Sequence, residues 1–264
     1  MPIAVVTGPN SGIGRVTAIQ LAGMGYHVVA AGRSEARVRP VIESISSAGG
    51  TAEFLDLDLA SLTSVRTAAN RLVGSGRQVD VLVNNAGIGI NRRGRTQDGF
   101  EVHFGINHLG HFLLTRALGA TFRPGTRVVS VSSAVHFRAR GLDLDRVRRP
   151  TRLLGYSDYA QSKLANVLFI RELAKREPGI NSYAVHPGLV NTPLIPGVLR
   201  YAMRNSLLTP EQGADTVVWC ATSDEVAGDR GRYYQRREAA TPSVHARSDE
   251  LAAELWERSL EWCG

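Results

Sequence analysis

Short apolar runs recur along the chain at Ile3–Thr7, His27–Ala31, Ala52–Asp56, Val79–Val83, Thr126–Ser132, Asn181–Val185 and Arg230–Tyr234. Each is short for a helix, and several are rich in valine, so they read as buried strands. Longer stretches between them carry apolar residues at helical spacing: Ile13–Gly23, Ser61–Val73, Phe100–Leu118, Tyr159–Lys175 and Pro210–Thr222. Strand and helix alternate throughout, which implies βαβ units and a parallel sheet. The pattern predicts an α/β fold: one doubly wound Rossmann-type domain over residues 1–264, its seven-stranded parallel sheet flanked by helices. Ligands bind such sheets beyond the C-terminal strand ends, so residues just after the apolar runs are the candidates for chemistry.

The first run leads into Thr7-Gly8-Pro9-Asn10-Ser11-Gly12-Ile13-Gly14, where helical spacing begins. Glycines here permit a tight turn and a close backbone approach to a pyrophosphate. The helix start adds unpaired N–H groups and a favourable dipole. The second run ends Ala31-Gly32-Arg33-Ser34. A unit that binds NAD usually carries an acid near this point, on the ribose hydroxyls. This chain has none there, and the Arg33 guanidinium can pair with a 2′-phosphate instead. The expected cofactor is NADP(H).

Tyr159 and Lys163 stand at i and i+4, on one face of a helix. A phenol is a weak acid at neutral pH, and a neighbouring ammonium favours its ionised form. Tyr156 has Ala160 at the matching place and lacks such a partner. The fifth run ends in Ser132 and Ser133, hydroxyls able to polarise a substrate carbonyl.

The glycine spacing, Asn84-Asn85-Ala86-Gly87, the serine pair and Tyr159-Ala160-Gln161-Ser162-Lys163 together resemble the short-chain dehydrogenase/reductase family, over the whole chain. Asn107-His108-Leu109-Gly110-His111-Phe112 and the tail Leu255-Trp256-Glu257-Arg258-Ser259 resemble its retinol dehydrogenase group in particular. The resemblance implies an oxidoreductase that moves a hydride between nicotinamide and a carbonyl or alcohol. Tyr159, Lys163, Ser133 and Asn107 are then catalytic, with a proton relay that runs from Tyr159 through the ribose and Lys163. Ser132 is left to the backbone. Gly8, Asn10, Ser11, Gly12, Ile13, Gly14, Arg33, Asp58, Leu59, Asn85, Ala86, Gly87, Tyr159 and Lys163 are implied to hold the cofactor. So are Pro187, Gly188, Val190 and Thr192, with a substrate lid over residues 188–208. Asp58 is preferred to Asp56 for the adenine because Asp58-Leu59-Ala60-Ser61 fits the family's run better. A nucleotide-binding sensor or scaffold without turnover is the alternative, and Tyr159, Lys163 and Ser133 weigh against it.

Composition changes little of this. At 43% hydrophobic and 21% charged, the 264 residues read as globular. The net charge of +7 invites a nucleic-acid partner, but the arginines are scattered without a basic arm or known motif. Only Lys163 and Lys175 are lysine among the 31 basic residues, which makes a lysine beside Tyr159 notable. Arg138, Arg140, Arg146, Arg148, Arg149 and Arg152 form the densest basic stretch, which either steers an anionic substrate or lies solvated. His108 and His111 read as packing or interface residues, and no metal site is expected. Two cysteines, Cys220 and Cys263, suggest a reducing cytoplasm rather than a disulfide framework. No membrane span or secretory leader is expected, and the chain starts directly at the first strand, unlike membrane-anchored members of the group. The expected partner is a small carbonyl or alcohol, bound by a monomer or homodimer.

Overall fold

Side chains of the buried strands alternate between two faces, and each face carries its own core. Val5, Val29, Leu82 and Val128 pack into one; Val6, Val28, Ala30, Val83 and Val129 pack into the other. The computed structural model describes residues 1–90, 92–150, 155–192 and 206–264. Its strands are β1 (Ile3–Thr7), β2 (His27–Gly32), β3 (Thr51–Asp56), β4 (Val81–Asn84), β5 (Arg127–Val131), β6 (Asn181–His186), β7 (Arg230–Gln235) and β8 (Glu238–Ala239). They form one sheet in the order β3-β2-β1-β4-β5-β6-β7-β8.

The first seven strands pair in parallel, as the apolar pattern predicts. The eighth is an addition to that expectation and pairs antiparallel to β7. It follows a tight turn in which Arg236 and Arg237 both have positive φ, at 54° and 59°. Two residues are too few to show a period, so no apolar run marks it.

Helices α1 (Gly12–Gly23), α2 (Glu35–Ser47) and α6 (Pro210–Thr222) cover one face; α3 (Leu62–Gly74), α4 (Gly110–Ala117), α5 (Tyr156–Arg176) and α7 (Asp249–Cys263) cover the other. The chain leaves β1 for β2 on one side and returns to β4 on the other. That reversal opens a crevice at the C-terminal strand ends.

The regular helix expected from Phe100 is broken. Glu101 sits in an isolated bridge with Arg95, and Phe104–Leu109 forms a π-helical turn before α4. Close packing accompanies the irregularity. A Cβ on Gly105 would lie 2.3 Å from Thr96 Cγ2, and one on Gly110 2.8 Å from the Leu59 carbonyl. Such π-turns concentrate at functional sites, and this one carries Asn107.

Candidate active site

The crevice holds a cavity of about 470 Å³. Every residue expected on the cofactor side lines it, from the glycine loop through Arg33, Asp58 and Asn85–Gly87 to Thr192. Gly8 and Gly12 take positive φ, at 66° and 54°. Ser11 caps α1 by position, but its side chain makes no capping bond, which leaves the first helical N–H groups facing the crevice. A Cβ on Gly14 would lie 2.3 Å from both the Gly8 carbonyl and Asn85 Nδ2. This cradle fits a phosphate-bearing nucleotide: a helix start without a side-chain cap, glycines at its tightest contacts, and Arg33 just past the end of β2. Gly14→Ala is expected to lose about 1–3 kcal/mol of stability to overpacking. Gly23→Ala, where a Cβ meets nothing within 4 Å, should be neutral or stabilising. Chemical denaturation of the two variants checks the contrast.

Asp58 and Asp56 differ in placement. Asp58 lines the cavity, its carboxylate accepting from Ala60 N at 3.0 Å. Asp56 is exposed at the end of β3, opposite Gly32, and does not line the cavity. Of the lid expected over residues 188–208, residues 193–205 lie outside the described residues.

Two elements meet at the chemical end of the cavity. The Lys163 ammonium donates to the Val131 carbonyl at 2.9 Å, and the Ser132 hydroxyl donates to the Lys163 carbonyl at 2.8 Å. This reciprocal tie fixes α5 against the end of β5 and gives Ser132 the backbone role expected of it. Ser133 caps a short 3-10 turn, its hydroxyl accepting from Val135 N at 3.2 Å. Tyr159 lies beside it, while Lys163 Nζ is 5.8 Å from the centre of the phenol ring. Burial pushes the Tyr159 phenol above its usual range, and a hydrogen bond with Ser133 opposes that shift. The expected lowering by Lys163 is therefore not what the structure gives: desolvation sets the direction, and Ser133 supplies the opposing bond. Burial also brings Lys163 down to about 8.

Asn107 does not line the cavity; it stands behind Gly87 and Lys163. Its side chain accepts from Ile88 N at 2.9 Å and donates to Ser162 Oγ at 3.0 Å. Ser162 in turn donates to the Tyr159 carbonyl at 2.8 Å. Asn107 thus ties the cavity wall at Ile88 to the turn of α5 that bears Tyr159.

Sequence reasoning missed two contributors. Glu101 caps the start of the helix, accepting from His103 N at 3.0 Å and Phe104 N at 2.9 Å. His103 lies edge-on to Tyr159, with ring centroids 6.1 Å apart. Its ring nitrogens meet Glu101 Oε1 at 2.8 Å and the Gly89 carbonyl at 3.0 Å. Asp158 is close enough for the three side chains to suggest a metal site, but Glu101 and His103 spend their ligand atoms on each other and on the backbone. Only a donor count in three dimensions finds this clamp, because nothing in the spacing Glu-x-His marks it. His108 and His111 are both buried, at 1% and 2% exposure, so neither is an interface residue on this surface.

In the basic stretch, Arg148 stacks over Phe100 at 3.9 Å and donates to the Asp98 carbonyl at 2.8 Å. Those contacts describe a structural residue. Arg148→Ala is expected to cost about 1 kcal/mol in urea unfolding, with kcat/KM and its salt dependence unmoved. A steep loss of kcat/KM that vanishes at high salt would instead mark substrate steering. Arg152 lies outside the described residues.

A family model described as short chain dehydrogenase matches residues 2–199. The polyprenol dehydrogenase of Mus musculus is 42% identical over 282 residues, covering 99% of this chain and 84% of its own length. The retinol dehydrogenase 11 of Homo sapiens is 35% identical over 273 residues, with 99% and 86% covered. A crystal structure of an uncharacterized protein from Mycobacterium Paratuberculosis superposes with a TM-score of 0.83 at 32% identity, covering 100% of this chain and 93% of that one. A short chain dehydrogenase from Burkholderia cenocepacia J2315 in complex with NADP gives a TM-score of 0.72 at 26% identity, with 94% and 98% covered.

Proposed function

The chain belongs to the short-chain dehydrogenase/reductase family, in its retinol dehydrogenase-like branch, and from that premise we propose that it is an NADP(H)-dependent oxidoreductase that interconverts a carbonyl compound and its alcohol. The observation that carries this reading is one cavity lined by Tyr159, Ser133 and Lys163 together with the glycine cradle and Arg33. When bound, the nicotinamide supplies or takes the hydride.

The residues do the rest. The Ser133 hydroxyl holds and polarises the carbonyl oxygen. The Tyr159 phenol gives its proton to that oxygen during reduction and recovers one from the alcohol during oxidation. Its raised pKa keeps it protonated at neutral pH, the form reduction needs. The Lys163 charge, held on the same face of α5, favours the phenolate left behind. Asn107 positions Ile88 and Ser162 around this centre. Arg33, with no acid at Gly32, is the reason for NADP(H) over NAD(H), and the Burkholderia structure is a relative in complex with NADP.

We assign an apolar substrate to the cavity. Ile88, Ile90, Ile106, Val135 and Leu189 line it, and the relatives above are named for polyprenol and retinol. Among the described residues no helix is long and apolar enough to cross a membrane. The free, buried thiols of Cys220 and Cys263 suit a reducing compartment such as the cytoplasm. The test is a panel of aldehydes and ketones mixed with enzyme and NADPH, with NADPH absorbance followed in time. Turnover should favour apolar aldehydes. Consumption with none of the panel would overturn the assignment.

A further inference from the structure

His111 lies on α4, one turn beyond Asn107, and its ring spans two parts of the site. Nδ1 is 3.1 Å from the Asn107 carbonyl oxygen. Nε2 is 2.9 Å from the Thr7 hydroxyl, at the end of β1. That hydroxyl also accepts the backbone N–H groups of Asn85 at 3.0 Å and Ala86 at 2.9 Å.

Counting hydrogens and comparing distances together point to one arrangement. A carbonyl oxygen only accepts, so Nδ1 carries the hydrogen. The two N–H donors occupy both lone pairs of the Thr7 hydroxyl, which must therefore donate its own hydrogen. The Val83 carbonyl, at 3.3 Å, is the more distant acceptor. Nε2, at 2.9 Å, is the nearer one and accepts as the bare nitrogen of a neutral ring. Burial, joined by the nearby Lys163 charge, lowers the pKa of His111 to about 4, against the pull of the Asn107 carbonyl. The ring therefore stays neutral near pH 7.

We propose that His111 is a positioning residue that couples the cofactor turn to the catalytic centre. On one side it holds the Asn107 carbonyl and so the π-helical turn. On the other it orients the Thr7 hydroxyl, which organises the Asn85-Ala86 backbone along the cavity wall. A histidine present for packing alone needs neither bond. The inference rests on the reading of the cavity given under Proposed function.

Two near-isosteric variants separate the two bonds. His111→Asn keeps an amide donor near the Nδ1 position and loses the acceptor for Thr7. His111→Gln keeps an acceptor near the Nε2 position and loses the hold on Asn107. NADPH binding is read by fluorescence titration, and turnover with the best aldehyde of the panel at saturating NADPH. The dissociation constant for NADPH should rise roughly tenfold in His111→Asn and much less in His111→Gln. The larger fall in kcat should belong to His111→Gln. Equal effects of the two variants on both quantities would overturn the proposal. Nitrogen NMR of the wild-type imidazoles supplies a readout independent of variant folding. It should show His111 with hydrogen on Nδ1 and a bare Nε2; the opposite tautomer would also overturn it. If the wild type reduces no carbonyl, the functional reading fails, while the NADPH titration and the tautomer still decide the role of His111.

Discussion

Tyr159→Phe is expected to lower kcat by roughly 10²–10⁴ while NADPH still binds. The variant keeps the ring, its edge contact with His103 and its place beside Lys163. It removes the hydroxyl alone, and with it the proton that the carbonyl oxygen must receive. Ser133 remains to polarise that oxygen, so some turnover should survive. Tyr156→Phe is the control. Tyr156 also lines the cavity but is 45% exposed, and Ala160 stands where its lysine would have to be. Its loss should be far smaller. Steady-state kinetics of the two variants settle the register of the catalytic helix: an inactive Tyr156 variant beside an active Tyr159 variant would place the acid on the wrong turn.

The second large effect is on cofactor choice. Arg33→Ala should weaken NADPH binding by about 1.5–3 kcal/mol, the range for a hydrogen bond to a charged group, and leave NADH binding nearly unchanged. Because Arg33 is exposed, the loss should sit near the lower end in physiological salt and grow as salt is removed. Gly32 contributes by what it lacks. A Cβ there would already crowd Val38 Cγ2 at 3.1 Å, and an acid would repel the 2′-phosphate as well. Titration of both nucleotides against wild type and variant measures the effect. Equal wild-type affinities for NADPH and NADH would contradict the assignment.

The sheet was legible because its central strands, β1, β2, β4, β5 and β6, are buried on both faces. Alternation of apolar with polar residues is not needed when neighbours such as Val28 and Val29 enter different cores, so whole runs read as apolar. β8 was not legible, since two residues after a left-handed turn leave no pattern. The candidate site was legible where chemistry sits at strand ends or repeats at helical spacing: the glycine loop, Arg33 and Ser133 follow strands, Tyr159 and Lys163 share a face of α5, and all line one cavity. What spacing hid was the support behind it. His103, Glu101 and His111 act through bonds to backbone groups, such as Gly89, or to Thr7 across 104 positions. A pattern of residue types carries no record of such partners. The direction of the Tyr159 shift was hidden for a similar reason: the i, i+4 lysine is visible in sequence, but the burial that raises the phenol is not.

Hydride transfer itself is tested most directly with NADPH carrying deuterium at both C4 positions and the best aldehyde of the panel. Deuterium is expected on the former carbonyl carbon of the alcohol product, appearing at a rate that collapses in Tyr159→Phe. Alcohol formed without that label, or formed as fast by the Tyr159→Phe variant, would contradict a hydride mechanism with Tyr159 as its acid.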